Sequence, residues 1–240
     1  TTLWAVWLEG SILEPSYLWV SDFQLEKWGT PCLIFNGTNG GISCFSTTQD
    51  HEKTAWAIWF YGAIPIGRIN DWGLYTRTSS NNVWAESTLV WAYPEILNVI
   101  FEIVMTTDKT GKVWMAWQDW EYPTFCSSIL SAYYDGNWIL NGGAWGTPLV
   151  EDCIYPSISV DSIGNILIGY IRRHYGVPIP NDQFIIIGFG TLDSDTAYSM
   201  GTSAITCNKA NCIWACWQKR DSLYLKNNDG GGWSPTFQFT

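Results

Sequence analysis

At 240 residues and 27.2 kDa, the chain is long enough to bury a full core as one all-β domain. Only 14% of its residues are charged, yet 22 acids against 12 Lys plus Arg leave a net charge of -10. That balance excludes phosphate-neutralising nucleic-acid binding and docking on anionic lipid. No apolar run is long enough to cross a bilayer, since the stretch from Ile96 to Met105 is broken by Asn98 and Glu102.

In chain order, one short cassette recurs: Trp4-Ala5-Val6-Trp7, Trp56-Ala57-Ile58-Trp59, Trp114-Met115-Ala116-Trp117 and Trp214-Ala215-Cys216-Trp217. Leu167-Ile168-Gly169-Tyr170 fits the same slot, giving intervals of 52, 58, 53 and 47 residues. A period of this size marks a propeller or an array.

Each cassette reads as the second of four strands. About a dozen residues before it runs a first strand, an offset set by ordinary strand and turn lengths. Ile42-Ser43-Cys44-Phe45, Ile103-Val104-Met105-Thr106, Ile158-Ser159-Val160-Asp161 and Ala204-Ile205-Thr206-Cys207 fill that place. Asp108-Lys109-Thr110-Gly111 and Asp161-Ser162-Ile163-Gly164-Asn165 supply the side-chain acceptors and positive φ that hairpins need. Third strands follow, such as Gly73-Leu74-Tyr75-Thr76 and Ile129-Leu130-Ser131-Ala132, and then a polar turn ending in Trp28, Trp84, Trp138 or Trp233. The fourth repeat lacks that tryptophan and passes through Asp193-Ser194-Asp195 to Tyr198.

Helical periodicity is absent. The expected fold is all-β: a five-bladed β-propeller of four-stranded antiparallel blades, one domain over 1–240, with repeats near 1–40, 41–100, 101–153, 154–201 and 202–240. Thr1-Thr2-Leu3 leads straight into the first cassette, so the first blade is expected to be incomplete, three-stranded or completed by another chain. The residues after Trp233 suffice for the last strand of the fifth blade only.

Tyr134-Asp135-Gly136-Asn137-Trp138 and Asn228-Asp229-Gly230-Gly231-Gly232-Trp233-Ser234-Pro235 resemble degenerate Asp boxes, the hairpin signature of sialidase-like propellers. The resemblance implies that the Asp caps the turn between strands three and four and that the aromatic packs between blades. It also implies a working face opposite those turns, made by the loops from strand two to three and from strand four to the next blade.

The two-to-three loops would then carry Glu9 and Glu14, Tyr61 and Arg68, Asp119-Trp120-Glu121, Arg172-Arg173-His174, and Lys219-Arg220-Asp221. The blade-to-blade connections carry Glu95, Glu102, Glu151, Asp152, Asp193 and Asp195. Loops collect charge in any protein, so this grouping alone does not make a site. A sialidase would need three arginines, a tyrosine nucleophile and an acid, but the first strands hold no arginine. A generic glycosidase would need two carboxylates roughly 5–5.5 Å or 6.5–9.5 Å apart. Asp119, Glu121, Glu102 and Asp152 are the candidates for that role.

A glycan-binding surface needs only exposed rings and polar groups that satisfy hydroxyls. Trp120, Tyr122, Tyr61, Trp91, Tyr93, Trp145 and Tyr175 lie outside the cassettes and are the candidate platforms. Asp119, Glu121, Arg172, Arg173, His174 and Arg220 are the candidate polar contacts. The expected function is a secreted or surface-exposed, non-catalytic recognition module for a glycan or cell-surface ligand. Alternatives are a glycoside hydrolase and a structural subunit of an extracellular or virion assembly.

No metal-ligand pattern or cofactor motif is present, and only His51 and His174 exist. Seven cysteines suit an oxidising compartment. Cys207 with Cys212, Cys32 with Cys44, and Cys126 with Cys153 are candidate pairs, and small buried hydrophobes are the alternative. Asn36-Gly37-Thr38 is the single glycosylation sequon. A start at Thr1 is compatible with a removed signal peptide or with an artificial start. A homo-oligomer or a strand-donating partner at the first blade is the expected assembly.

Overall fold

The structure is a computed structural model that describes residues 3–10, 16–24, 26–37, 41–62, 73–80, 83–92, 99–121, 126–144, 151–175, 181–187, 189–195, 200–208 and 210–240. Among the described residues, twenty-one strands form five antiparallel sheets in chain order. The first holds β1 (Leu3–Glu9), β2 (Ser16–Gln24), β3 (Lys27–Trp28) and β4 (Cys32–Gly37). β5 (Gly41–Gln49), β6 (Ala55–Gly62), β7 (Gly73–Ser80), β8 (Val83–Trp84) and β9 (Thr88–Ala92) form the second. β10 (Val99–Thr107), β11 (Val113–Glu121), β12 (Cys126–Tyr134) and β13 (Trp138–Ala144) form the third. The fourth comprises β14 (Glu151–Val160), β15 (Ile166–His174), β16 (Asn181–Ile186) and β17 (Gly190–Asp195). The fifth comprises β18 (Met200–Cys207), β19 (Ile213–Lys219), β20 (Ser222–Asn228) and β21 (Phe237–Phe239). Among the described residues, no helix is long and apolar enough to cross a membrane.

Each sheet is an up-and-down blade with the cassette on its second strand, as the repeat predicts. The exception is the first, where the cassette strand β1 opens the sheet and, among the described residues, pairs with β2 alone. In the first two sheets the outer strand is interrupted: β3 and β4 both pair β2, and β8 and β9 both pair β7. All five outer strands lie against the third strand, and four of them carry one extra residue there: Ile34, Val90, Asn141 and Leu192. Inner strands β10, β14 and β18 each carry two residues at a register break, namely Phe101-Glu102, Tyr155-Pro156 and Gly201-Thr202. Such bulges bend a strand and re-aim side chains.

The contacts divide the chain into two compact units, one of Thr1–Thr47 with Lys53–Ile96 and one of Thr48–Glu52 with Leu97–Thr240. In the first, Leu18, Val20, Ile34 and Ile42 pack around Ala57, Trp59 and Tyr61. In the second, Cys153, Ile168 and Tyr170 pack on Ala116 and Ile129, while Phe184 and Leu167 pack on Ile205, Ala215 and Trp217. The cassette strand β6 is covered on both faces, so all of it is buried, whereas burial alternates along β19. The same sandwiching explains Gly169: a Cβ there would lie 2.9 Å from the Ser157 hydroxyl and 3.1 Å from Ile205.

One turn recurs between first and second strands. Asp108 Oδ1 accepts from the Thr110 and Lys112 N–H groups at 2.8 and 3.1 Å, and Oδ2 accepts from the Trp114 indole at 2.8 Å. Asp161 Oδ1 does the same for Ile163 and Asn165, and Asn208 Oδ1 for Ala210 and Cys212. The fourth residue of each turn has positive φ: Gly111, Gly164 and Asn211, and likewise Lys53 after Asp50. Burial pushes the Asp108 carboxyl up, but hydrogen bonds from Thr110, Trp114 and Lys112 outweigh it and hold it below its ordinary value. Asp161 is lowered in the same way by Asn165, Ile163 and Gly164.

Asp108→Ala should therefore cost about 1–3 kcal/mol, since three main-chain and indole donors lose a charged acceptor. Asp108→Asn should cost much less, because asparagine already does this work at position 208. A carboxyl lowered on folding adds stability that is complete above its unfolded value of about 4 and is lost as pH falls through the folded value. Acid titration of stability should thus be shallower in Asp108→Asn than in wild type. Equal acid limbs would mean that the turn carboxylate does not contribute.

The box turns split. In the fifth sheet Asp229 Oδ1 accepts from Gly231 N–H at 3.1 Å, and Trp233 packs edge-on against Phe189 of the fourth sheet, as the resemblance implies. In the third, Asp135 turns outward to Lys112 at 3.2 Å, and its turn closes through the backbone, Asp135 N–H to Asn137 carbonyl. The seven cysteines are free thiols, so none of the three candidate pairs is bonded. Cys126 and Cys153 serve as small buried core residues.

Candidate functional site

The candidate site lies in the second unit, where the cassette strands end and the inner strands begin. β15 finishes Arg172-Arg173-His174, and a strand sends alternate side chains to opposite faces. Arg172 and His174 share one face with Tyr170. The Arg172 Nη2 donates to the Tyr170 hydroxyl at 3.1 Å, while its Nε is buried without a hydrogen-bond partner. Cys153 stands opposite Arg172 in the ladder, and burial pushes its thiol up to about 11, so it is a neutral neighbour. Glu151 stands opposite His174 and meets its Nδ1 at 2.8 Å.

Arg173 points the other way and grips Asp182, directly opposite on β16, through two bonds of 3.0 and 3.1 Å. Asp182 is 0% exposed and also accepts from Met200 N–H at 3.0 Å, while Arg173 donates to the Met200 carbonyl at 3.2 Å. The pair thus fastens the start of β18 to the fourth sheet.

Asp152 joins the third and fourth sheets. Its Oδ1 accepts from Ser127 N–H at 2.6 Å, and its Oδ2 accepts a short bond from the Tyr175 hydroxyl. Burial, then the bond to Asp152 and its charge, push the Tyr175 phenol far up, so it stays a protonated donor. Its ring is 41% exposed. Gln118 extends the network, donating to Ser127 Oγ at 3.1 Å and accepting from Tyr155 N–H at 3.4 Å.

The other expected residues are scattered. Asp119 has one carboxylate oxygen buried and faces Ser128 across the ladder, Trp120 is half-buried opposite Ser127, and Glu121 is exposed opposite Cys126. Glu102 sits half-buried in the β10 bulge, where burial raises its carboxyl. Arg220 takes φ 55 in a two-residue hairpin between Lys219 and Ser222, so the expected loop there is a tight turn. Asp193 accepts from the Trp217 indole at 3.0 Å and meets Lys219 at 3.6 Å, and Glu9 accepts from the Trp19 indole at 2.9 Å. Tyr61, in the first unit, is buried between Phe35 and Tyr75 and forms core instead of an open platform. Trp91 is exposed on β9. Glu14, Arg68, Tyr93, Glu95, Tyr122 and Trp145 lie outside the described residues, and Asp195 is placed only as the last residue of β17.

Three participants escaped sequence reasoning: Asp182, Ser127 and Gln118. A signal existed for the first alone, as an acid at the polar start, Asn181-Asp182-Gln183, of a third strand that continues Phe184-Ile185-Ile186. At the opposite end of the inner strands, a pocket of 270 Å³ opens among the recurring turns, lined by His51, Asp108, Lys109, Asp161, Ser162 and Asn208. Among the described residues, no three His, Cys, Asp or Glu side chains gather as a metal site.

No family model matches the chain, and no curated relative does. Solved structures do. A protein of unknown function from Dyadobacter fermentans matches with a TM-score of 0.58 at 11% identity, over 88% of this chain and 68% of its own. The Penicillium chrysogenum alpha-L-arabinanase, complexed with arabinobiose, matches with a TM-score of 0.61 at 11% identity, over 99% and 77%. The intramolecular trans-sialidase of Ruminococcus gnavus, complexed with oseltamivir carboxylate, gives 0.52 at 10%, over 86% and 46%. The likeness is one of fold. It makes the five sheets the blades of a five-bladed β-propeller, and the sialidase-like resemblance holds at blade level.

Proposed function

We propose that this chain is a non-catalytic recognition module, secreted or surface-exposed, that binds glycans at the end of the second unit where β11 and β15 finish. The observation that carries it is the mutual engagement of the charged groups there. Arg173 is held by Asp182, His174 by Glu151, and Asp152 by Ser127 and Tyr175. Catalysis would need two carboxylates left to face a substrate and a base or nucleophile of suitable pKa. Tyr175 is held protonated with its one proton on Asp152, which leaves its oxygen to accept from a ligand hydroxyl and opposes its use as a nucleophile. The arrangement leaves a half-exposed ring braced by a carboxylate, with exposed Glu121 at the end of β11 in the third sheet, and such groups suit sugar stacking with hydroxyl contacts. Two structural neighbours, an arabinanase and a trans-sialidase, support a carbohydrate ligand. The free thiols lend an extracellular placement no support. No cofactor enters this reading.

A glycoside hydrolase is the second reading, favoured by Glu102, whose raised carboxyl has the character of a general acid. A glycan array followed by mass spectrometry of the bound glycans separates the two. The expected result is saturable binding of one glycan class, recovered intact. Tyr175→Phe and Glu121→Ala should each weaken that binding about tenfold, the value of one well-made hydrogen bond, with little change in melting temperature. Cleaved product that disappears in Glu102→Gln would overturn the recognition reading, and so would an empty array.

A further inference from the structure

Three of the recurring turns close around the 270 Å³ pocket, and a fourth reaches it. Asp108 and Lys109 come from the third sheet, Asp161 and Ser162 from the fourth, and Asn208 from the fifth, while His51 comes from the turn that follows β5. All of them belong to the second unit. The walls are tied together. Ser162 N–H donates to Asn211 Oδ1 of the next turn at 2.9 Å, and a Cβ on Gly111 would lie 3.7 Å from that of His51. A pocket framed by hydrogen-bonded turns is preformed, so a ligand has little ordering to offset.

The lining groups fall into two kinds. Asp108 accepts four hydrogen bonds and Asp161 three, and the two residues are 7% and 8% exposed. Each carboxylate is committed to its own turn. Among the described residues, the side chains of His51, Lys109 and Ser162 take no hydrogen-bond or ion-pair partner. Asn208 stands where the third and fourth sheets have Asp. Its Oδ1 holds the turn as a carboxylate would, accepting from Ala210 and Cys212 at 2.9 Å, and its Nδ2 remains as a donor.

We propose that this pocket binds one uncharged, polyhydroxylated ring, such as a single sugar unit, independently of the site where β11 and β15 finish. The Lys109 ammonium and the Asn208 amide donate, while the Ser162 hydroxyl and the His51 ring can donate or accept. Ring hydroxyls, which also do both, match that set. Two carboxylate charges against one lysine disfavour an anion. The carboxylate oxygens are too occupied to replace the water shell of a cation. At 270 Å³ the pocket falls just below the roughly 300–1,000 Å³ of sites for drug-sized ligands, so it has room for a ring and not for a chain.

The chain has two histidines, His51 in this pocket and His174 at the other end of the unit, so their imidazole proton resonances report on the two sites separately. The test titrates the 240-residue chain with D-glucose, D-galactose, D-mannose, L-arabinose and N-acetyl-D-glucosamine at fixed pH, and in parallel with inorganic phosphate and Ca²⁺. His51→Gln assigns the two signals. At least one sugar should shift the His51 resonance saturably, and phosphate and Ca²⁺ should not. Asn208→Asp keeps the turn acceptor and removes the donor, so it should weaken that sugar about tenfold with little change in melting temperature. Lys109→Met, at an exposed position, should weaken it similarly. A His51 signal that no sugar moves overturns the proposal, and a response of His174 alone does so while leaving the recognition reading in place. Saturable phosphate or Ca²⁺ binding at His51 overturns it too, as does sugar binding unchanged in both variants. A sugar response at His51 with His174 silent upholds the pocket without that reading.

Discussion

Trp117→Ala should lower the unfolding free energy of the chain by roughly 3–5 kcal/mol, the usual cost of truncating a large buried aromatic. Trp117 is 1% exposed, in the middle of β11 between β10 and β12, where Ile103 and Leu130 stand opposite it. The residual cavity would be bounded by strands whose ladders prevent collapse, which places the cost toward the upper end. Trp117→Phe should cost far less. It keeps most of the apolar area and removes an indole N–H that is buried without a partner. Trp7→Ala should also cost a fraction of the Trp117 loss, because its edge strand leaves the ring partly in water. Urea unfolding of the three variants measures all of this. Similar losses at positions 7 and 117 would show that β1 is as fully covered as β11, and the repeat would then lack its exception.

The blades were legible because their signal is local and repeated. Trp-Ala-x-Trp needs no partner information to read as a strand buried on both faces, and Asp-x-x-Gly needs none to read as a hairpin. The turn at Asn208 was harder, because Asn211 replaces the glycine that advertises positive φ.

The site was legible only as a neighbourhood. Sequence placed Arg173 and Asp152 at one end of their blade, and the structure puts them there. It could not say that Arg173 would face Asp182 while Arg172 turned to Tyr170, because a one-residue difference in register exchanges the two faces. Nor could it say that Tyr61 is core, since a tyrosine after a cassette looks the same whether its ring is packed or free. The connection at Arg220 was read as a loop from its charge, whereas the ladder continues to Lys219 and Ser222 and leaves two residues to turn.

Arg173→Ala should be among the most destabilising polar substitutions, at about 3–5 kcal/mol, because it strands an uncompensated carboxylate at Asp182. Desolvation works against the guanidinium, yet the bonds and charge of Asp182 hold its pKa above the ordinary value, so it stays charged at any accessible pH. The pair should add little as a pair, however. Removing two charges from water costs energy that their attraction only partly restores, so Arg173→Met with Asp182→Leu should recover most of the stability lost by either single change. The Met200 amide and carbonyl would remain unsatisfied in that double variant and set the residual deficit, at about 1–3 kcal/mol. A double-mutant cycle in urea measures the coupling directly. Strong coupling with unchanged glycan binding assigns Arg173 to fastening the fourth and fifth blades. Loss of glycan binding in the stable double variant would instead return Arg173 to the ligand surface, where its place in Arg172-Arg173-His174 first put it.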